Sequence, residues 1–324
     1  MTRTLTLALG LVLTLAACAT GGADGGGGER LPNRGFAPYD KVVDDAGVLA
    51  PPLSVPDVRL DHPAAVALPD GVALFVEVCA GDTPCRVDRA DAVDGLTFDA
   101  PRTVLEDARG LHAPFVQRSG ATWTLWAVAG DGVAIVRSGS RDGVAFDAPV
   151  DVFRAAEGEI LGSPSVAELA GVRALYLQRG DALARAEAAG EGFGPLTDVY
   201  RPCAEAAAPT PDGGAATPCW PEAGLSDPEV RASVTATGRH LLRLAFAGST
   251  TASGKHGIGF AASADGRAWS PFQFNPALDE DARDERAPTV VLFGDRYLLY
   301  FIQDGRKPAL GVAVNAVGKP SERF

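Results

Sequence analysis

The sequence predicts an all-β protein built as a five-bladed β-propeller, and three recurring features predict it. Short strands open at a proline five times: His62-Pro63-Ala64-Ala65-Val66, Ala113-Pro114-Phe115-Val116, Ser163-Pro164-Ser165-Val166, Asp227-Pro228-Glu229-Val230 and Ala287-Pro288-Thr289-Val290. The prolines are 51, 50, 64 and 60 residues apart, in or just above the range of radial β repeats, and that length holds one four-stranded blade. An apolar run follows each opener, over 72–78, 122–128, 172–177, 241–246 and 297–302, with the composition of a buried strand. A third strand then ends in Asp94-Gly95, Asp142-Gly143 or Asp265-Gly266, and three residues past the glycine stands Phe98, Phe146 or Trp269. Asp-Gly suits a type I′ hairpin, whose two central residues need positive φ.

In chain order, residues 1–17 read as a lipoprotein signal peptide. A short cationic start and an apolar stretch too short to span a bilayer lead to Leu15-Ala16-Ala17-Cys18, which fits a secretory signal and resembles a lipobox. Cys18 is then the lipid-bearing first mature residue, an expected membrane link, and Ala19 rather than Asp after it, by resemblance to enterobacterial sorting, favours the outer membrane of the cell envelope. Residues 18–35 form a glycine-rich tether with little to bury. The propeller occupies 36–324, with blades starting near 60, 111, 161, 225 and 285. Unit three carries only a degenerate turn, Gly190-Glu191-Gly192-Phe193, and unit five stops after a third strand at 310–317. A bare outer strand would expose unpaired backbone groups, so the segment 39–49, with Val42, Val43 and Val48, is expected to supply the outermost strand of the last blade.

Besides Cys18 there are four cysteines, an even number that argues for disulfides in an exported chain. The favoured pairs are Cys79 with Cys85, across a hairpin, and Cys203 with Cys219, closing an Ala/Pro/Gly-rich excursion. Their spacings, with no neighbouring histidine, match no zinc signature, so no metal and no cofactor is expected. The net charge of −12 and the absence of a Lys/Arg cluster exclude nucleic acid as a partner. Nothing signals an oligomer, and a monomer is expected.

Ser226-Asp227-Pro228-Glu229-Val230, followed by Ala262-Ser263-Ala264-Asp265-Gly266-Arg267-Ala268-Trp269, resembles a blade of the arabinanase, levansucrase and invertase propellers, including glycoside hydrolase family 43. The likeness covers about 59–317 and lies in blade signatures, so it bears on fold more than on reaction. The sialidase Asp-box needs one more residue between its Asp and Gly, which ranks that propeller type second.

In such propellers the innermost strands start at the pocket, which directs attention to Asp61, His62, His112, Ser163, Asp227, Glu229, Glu285 and Arg286. Inverting hydrolysis needs a carboxylate base and a protonated carboxyl group across the sugar; Asp61, Asp227, Glu229 and Glu285 are the candidates. His62, His112, Ser163, Arg286 and Trp220 are candidate glycan contacts. The resemblance implies a base just before the first blade's proline, where His62 stands with Asp61 one residue away. It also implies a Glu at the start of a middle blade, often just before Gly-Pro or Ala-Pro, where His112-Ala113-Pro114 and Gly162-Ser163-Pro164 stand without an acid. Structural readings compete: Asp61 and Asp227 as turn acceptors, Glu229 with Arg286 as an ion pair between blades. Two functions follow: a rim that binds carbohydrate without a complete catalytic set, or an active glycoside hydrolase. A protein-interaction or structural envelope role is a third.

Overall fold

A computed structural model describes residues 58–203, 220–235, 237–249, 254–272, 275–279, 284–304 and 309–316, together with the backbone of Asp40–Lys41. Every regular element among them is a strand. In chain order these are β1 (Asp40–Lys41), then β2 (Val58–Leu68), β3 (Gly71–Ala80), β4 (Arg86–Ala92) and β5 (Arg102–Leu105) of blade one. Blade two holds β6 (Leu111–Ser119), β7 (Thr122–Ala129), β8 (Ala134–Ser140) and β9 (Val150–Arg154). In blade three are β10 (Leu161–Leu169), β11 (Val172–Arg179), β12 (Ala182–Ala189), β13 (Gly192–Phe193) and β14 (Thr197–Tyr200), the last two both pairing β12. Blade four has β15 (Leu225–Val234), β16 (His240–Ser249), β17 (His256–Ser263) and β18 (Ser270–Pro271). Blade five has β19 (Asp284–Phe293), β20 (Arg296–Asp304) and β21 (Ala309–Ala316), with β1 outside β21.

The five sheets are antiparallel, and their inner strands β2, β6, β10, β15 and β19 pack in a ring that returns from β19 to β2. The propeller is therefore as expected, and so is its closure. Asp40 pairs with Val314 and Lys41 with Ala313, so the N-terminal strand covers the edge of the last blade; Val42, Val43 and Val48 lie outside the described residues. The expected Cys79–Cys85 disulfide is present. Cys203 is disulfide-bonded, whereas Cys219, its expected partner, lies outside the described residues, as do the signal segment, Cys18 and the tether.

The Asp-Gly turns are structural. Asp94, Asp142 and Asp265 each accept two backbone N–H bonds within their own turn, at 2.7–2.9 Å. The following aromatic packs edge-on against the second strand of the preceding blade: Phe98 on Tyr300, Phe146 on Phe75, Trp269 on Tyr176. Edge-to-face pairs of this kind add about 1 kcal/mol beyond area burial, so each turn is a rivet between blades.

Candidate functional site

Each inner strand breaks register at its proline, between Asp61 and Ala64, His112 and Phe115, Gly162 and Ser165, Ser226 and Glu229, and Arg286 and Thr289. The residue before the proline has positive φ in all five, from 38° to 50°. Non-glycine residues pay strain there, and such strain gathers at functional positions. The bulge turns His62, Ala113, Ser163, Asp227 and Ala287 toward the axis, where with their prolines they line the central channel.

The displaced backbone amides find partners in the neighbouring blade. Val230 N donates to Ser165 Oγ (3.0 Å), Val290 N to Glu229 Oε1 (3.3 Å) and Ala65 N to Thr289 Oγ1 (3.2 Å). Glu229 belongs to this scaffold. Both its oxygens take the Arg231 guanidinium, at 2.7 and 2.9 Å, and Oε2 also accepts Thr289 Oγ1 at 2.8 Å. The expected Glu229–Arg286 pair is therefore replaced by two others, because Arg286 reaches across the ring closure to buried Asp61.

A chain of four side chains lies at the mouth of the channel. His62 Nε2 is 3.1 Å from Asp227 Oδ1 and its Nδ1 is 3.1 Å from Glu77 Oε2, while Glu77 Oε1 is 3.0 Å from His112 Nδ1. Ala113 N donates to Glu77 Oε2 at 3.0 Å and Ala287 N to Asp227 Oδ2 at 3.3 Å. Both ring nitrogens of His62 face carboxylates, so only the imidazolium offers a donor to each. Burial opposes its charge, but the hydrogen bonds to Asp227 and Glu77 and the nearby carboxylates hold its pKa well above the ordinary 6.5. Burial likewise works against ionisation of Glu77 and Asp227. For Glu77 the two histidines overcome it and for Asp227 the His62 cation does, and both pKa values fall.

A cleft of about 310 Å³ opens over this chain, lined by His62, His112, Ser163, Gln178, Asp227 and Asp131, with Val128, Ile160 and Leu161 as its apolar wall. Its size is at the small end of ligand sites. Among the sequence-predicted residues, His62, His112, Ser163 and Asp227 meet here. Asp61 and Glu229 are buried in the scaffold, and Glu285 is wholly buried in β19. Trp220 is elsewhere: its ring stacks on Phe246 at 5.7 Å between centroids and fills the space above Gly248 and Gly259 of blade four. Three further large aromatics, Phe115, Trp123 and Trp126, are buried.

Two residues of the site escape a search of the openers. Glu77 is 1% exposed in the middle of an apolar strand, and that lone acid in Gly-Val-Ala-Leu-Phe-Val-Glu-Val is the signal that finds it. Gln178, whose Oε1 accepts Asp227 N at 3.0 Å, carries no comparable signal. Chemically, the cleft offers acceptors and imidazole donors, but its hydrogen-bonded carboxylates are held ionised, and a general acid must hold a proton.

No model of a known protein family and no curated protein matches the chain. Solved structures do resemble it. The catalytic domain of a GH62 α-L-arabinofuranosidase from Coprinopsis cinerea superposes with a TM-score of 0.66 at 10% identity, over 86% of this chain and 96% of that one. An α-L-arabinofuranosidase from Podospora anserina, in complex with cellotriose, gives 0.63 at 12% identity, over 86% and 97%. An endo-arabinase from Bacteroides thetaiotaomicron gives 0.57 at 13%, over 80% and 94%. At these identities the likeness establishes the fold.

Proposed function

We propose that the protein is a cell-envelope lipoprotein whose propeller binds the end of a neutral glycan in the cleft above His62, without hydrolysing it. One observation carries this reading: Asp227 and Glu77 are each hydrogen-bonded to imidazole, contacts that favour their carboxylate forms, suit them to sugar hydroxyl donors and make both unsuited to protonating a leaving oxygen. Gln178 and His112 add complementary donors and acceptors, and Ile160, 73% exposed beside the cleft, offers an apolar surface to the C–H face of a sugar. Among the described residues no Lys or Arg lines the cleft, so a uronate or sulfated sugar would meet no counter-charge from them. The structural neighbours named above are glycoside hydrolases, one of them holding cellotriose, which supports a carbohydrate ligand for this shape.

The test is calorimetric titration of residues 36–324 with oligosaccharides of arabinan, xylan and fructan and with a uronate oligomer, alongside assay of reducing-sugar release. Saturable binding of a neutral oligosaccharide without release is expected, weakened at least about tenfold by Asp227→Asn, the loss of a charge-assisted bond. Release of sugar that Asp227→Asn abolishes would replace this reading with a hydrolase. Absence of all binding would refute it in favour of a protein-interaction or structural role. Anchoring is tested apart: the full chain incorporates labelled palmitate, and Cys18→Ala does not.

A further inference from the structure

Cys79 and Cys85 have no histidine near them in the sequence, but the fold brings one to them. Leu111 N donates to Cys85 O at 2.8 Å, hooking the tip of the β3–β4 hairpin onto the inner strand of blade two beside His112. Glu77 lies two residues before Cys79 on β3, so both side chains leave the same face of the strand. One ligand atom from each of Glu77, Cys79, Cys85 and His112 lies within 4.8 Å of the others. Glu77, 1% exposed, sends Oε1 to within 3.2 Å of Cys79 Sγ and 3.0 Å of His112 Nδ1. A disulfide sulfur carries no proton, so the sulfur contact is not a hydrogen bond, and this carboxylate oxygen sits between a sulfur and an imidazole.

We propose that these four side chains have a second state: once the Cys79–Cys85 bond is reduced, they form a binding site for a zinc-like divalent cation. Two thiolates, an imidazole and a carboxylate are the donor types that Zn²⁺ takes in four-coordinate sites, and they come from three separate segments of a rigid scaffold. A phosphine reductant supplies the two electrons and leaves as its oxide with oxygen from water, water's two protons go to the sulfurs as thiols, and cation binding releases those protons. Arg59, half exposed, has its Nη2 3.8 Å from Cys79 Sγ and 3.7 Å from Glu77 Oε1, and the cation would take its place beside the carboxylate. Because Glu77 and His112 also serve the cleft, the cation would draw on the network that holds His62. The proposal does not depend on what the cleft binds.

The experiment titrates Zn²⁺ and Co²⁺ into residues 36–324 before and after phosphine reduction, following stoichiometry, the Co²⁺ thiolate absorption and the melting temperature. Reduced protein is expected to bind one equivalent, with thiolate-to-cobalt bands and a raised melting temperature; oxidised protein binds none at that affinity. Cys79→Ser/Cys85→Ser abolishes the bands, and His112→Ala lowers the affinity at least about tenfold. A reduced protein that takes up no stoichiometric cation and gains no thermal stability from it, folded or not, overturns the proposal. Bands that survive the double serine substitution overturn it too, since they would belong to other thiols.

Discussion

Glu77 is a carboxylate in an apolar strand, a position that destabilises a protein unless every lone pair has a partner. Here His62, His112 and the amide of Ala113 supply them. Glu77→Ala takes the shared carboxylate from both histidines and from the Ala113 N–H and should lower unfolding free energy by about 3 kcal/mol, read from urea midpoints. The same contacts set a pH dependence. His62, raised above its ordinary 6.5, contributes its full stabilisation below about pH 6.5 and loses it as pH climbs through the higher folded value. Asp227 and Glu77, lowered in the fold, contribute fully above their ordinary carboxylate values and lose it as pH falls through the folded ones. The stability advantage of the native chain over His62→Gln should therefore be largest near pH 6 and shrink toward alkaline pH; an advantage that grows there would show His62 to be neutral. At this scale the sequence was half legible. His62 and Asp227 announce themselves beside prolines, but the partner joining His62 to His112 comes from a second strand, and strand-start reasoning cannot see across a sheet.

The elements were more legible, because their signals are local. An Asp-Gly pair fixes its turn through the Asp side chain and the glycine's positive φ, and both act within a few residues. Gly266, at φ +73°, also lies against the Tyr176 hydroxyl and Leu242 of its surroundings, closely enough that a Cβ would overlap the hydroxyl. Gly190, at φ +58°, has nothing near its missing Cβ. Gly266→Ala should thus cost about 3 kcal/mol, combining backbone strain with overpacking, whereas Gly190→Asn, whose side chain tolerates that conformation, should cost under about 1 kcal/mol; paired thermal melts decide it. What the repeat did not reveal is the bulge. A proline says that its own N–H is missing from the ladder, but the positive φ before it and the amide bonds to the next blade depend on the ring being closed. That is why Glu229 looked like a catalytic carboxylate in the sequence and is a strut in the fold.

At the scale of the whole molecule, a ring of blades is only as secure as its last joint. Blades one to four each end in strands drawn from their own segment, but blade five ends in β1, from the other end of the chain. Among the described residues, Asp40 pairs there with Val314 and Lys41 with Ala313. The same joint is reinforced on the inside: Arg286 of blade five holds Asp61 of blade one, Thr289 accepts the amide of Ala65, and Phe98 of blade one packs on Tyr300 of blade five. Closure was predictable because an incomplete fifth unit leaves an edge that must be covered, while the inner reinforcement was not, since it joins residues more than two hundred positions apart. The two layers make separable predictions. A chain starting at Val58 keeps the inner contacts and loses β1, so it should still fold, but with a bare β21 edge that pairs with other copies; light scattering should detect concentration-dependent association absent from residues 36–324. Arg286→Ala keeps β1 and leaves buried Asp61 without its guanidinium, and should lower the melting temperature without association. If the truncated chain remains monomeric and melts like the longer one, the outer strand does not hold the ring, and the inner contacts alone close it.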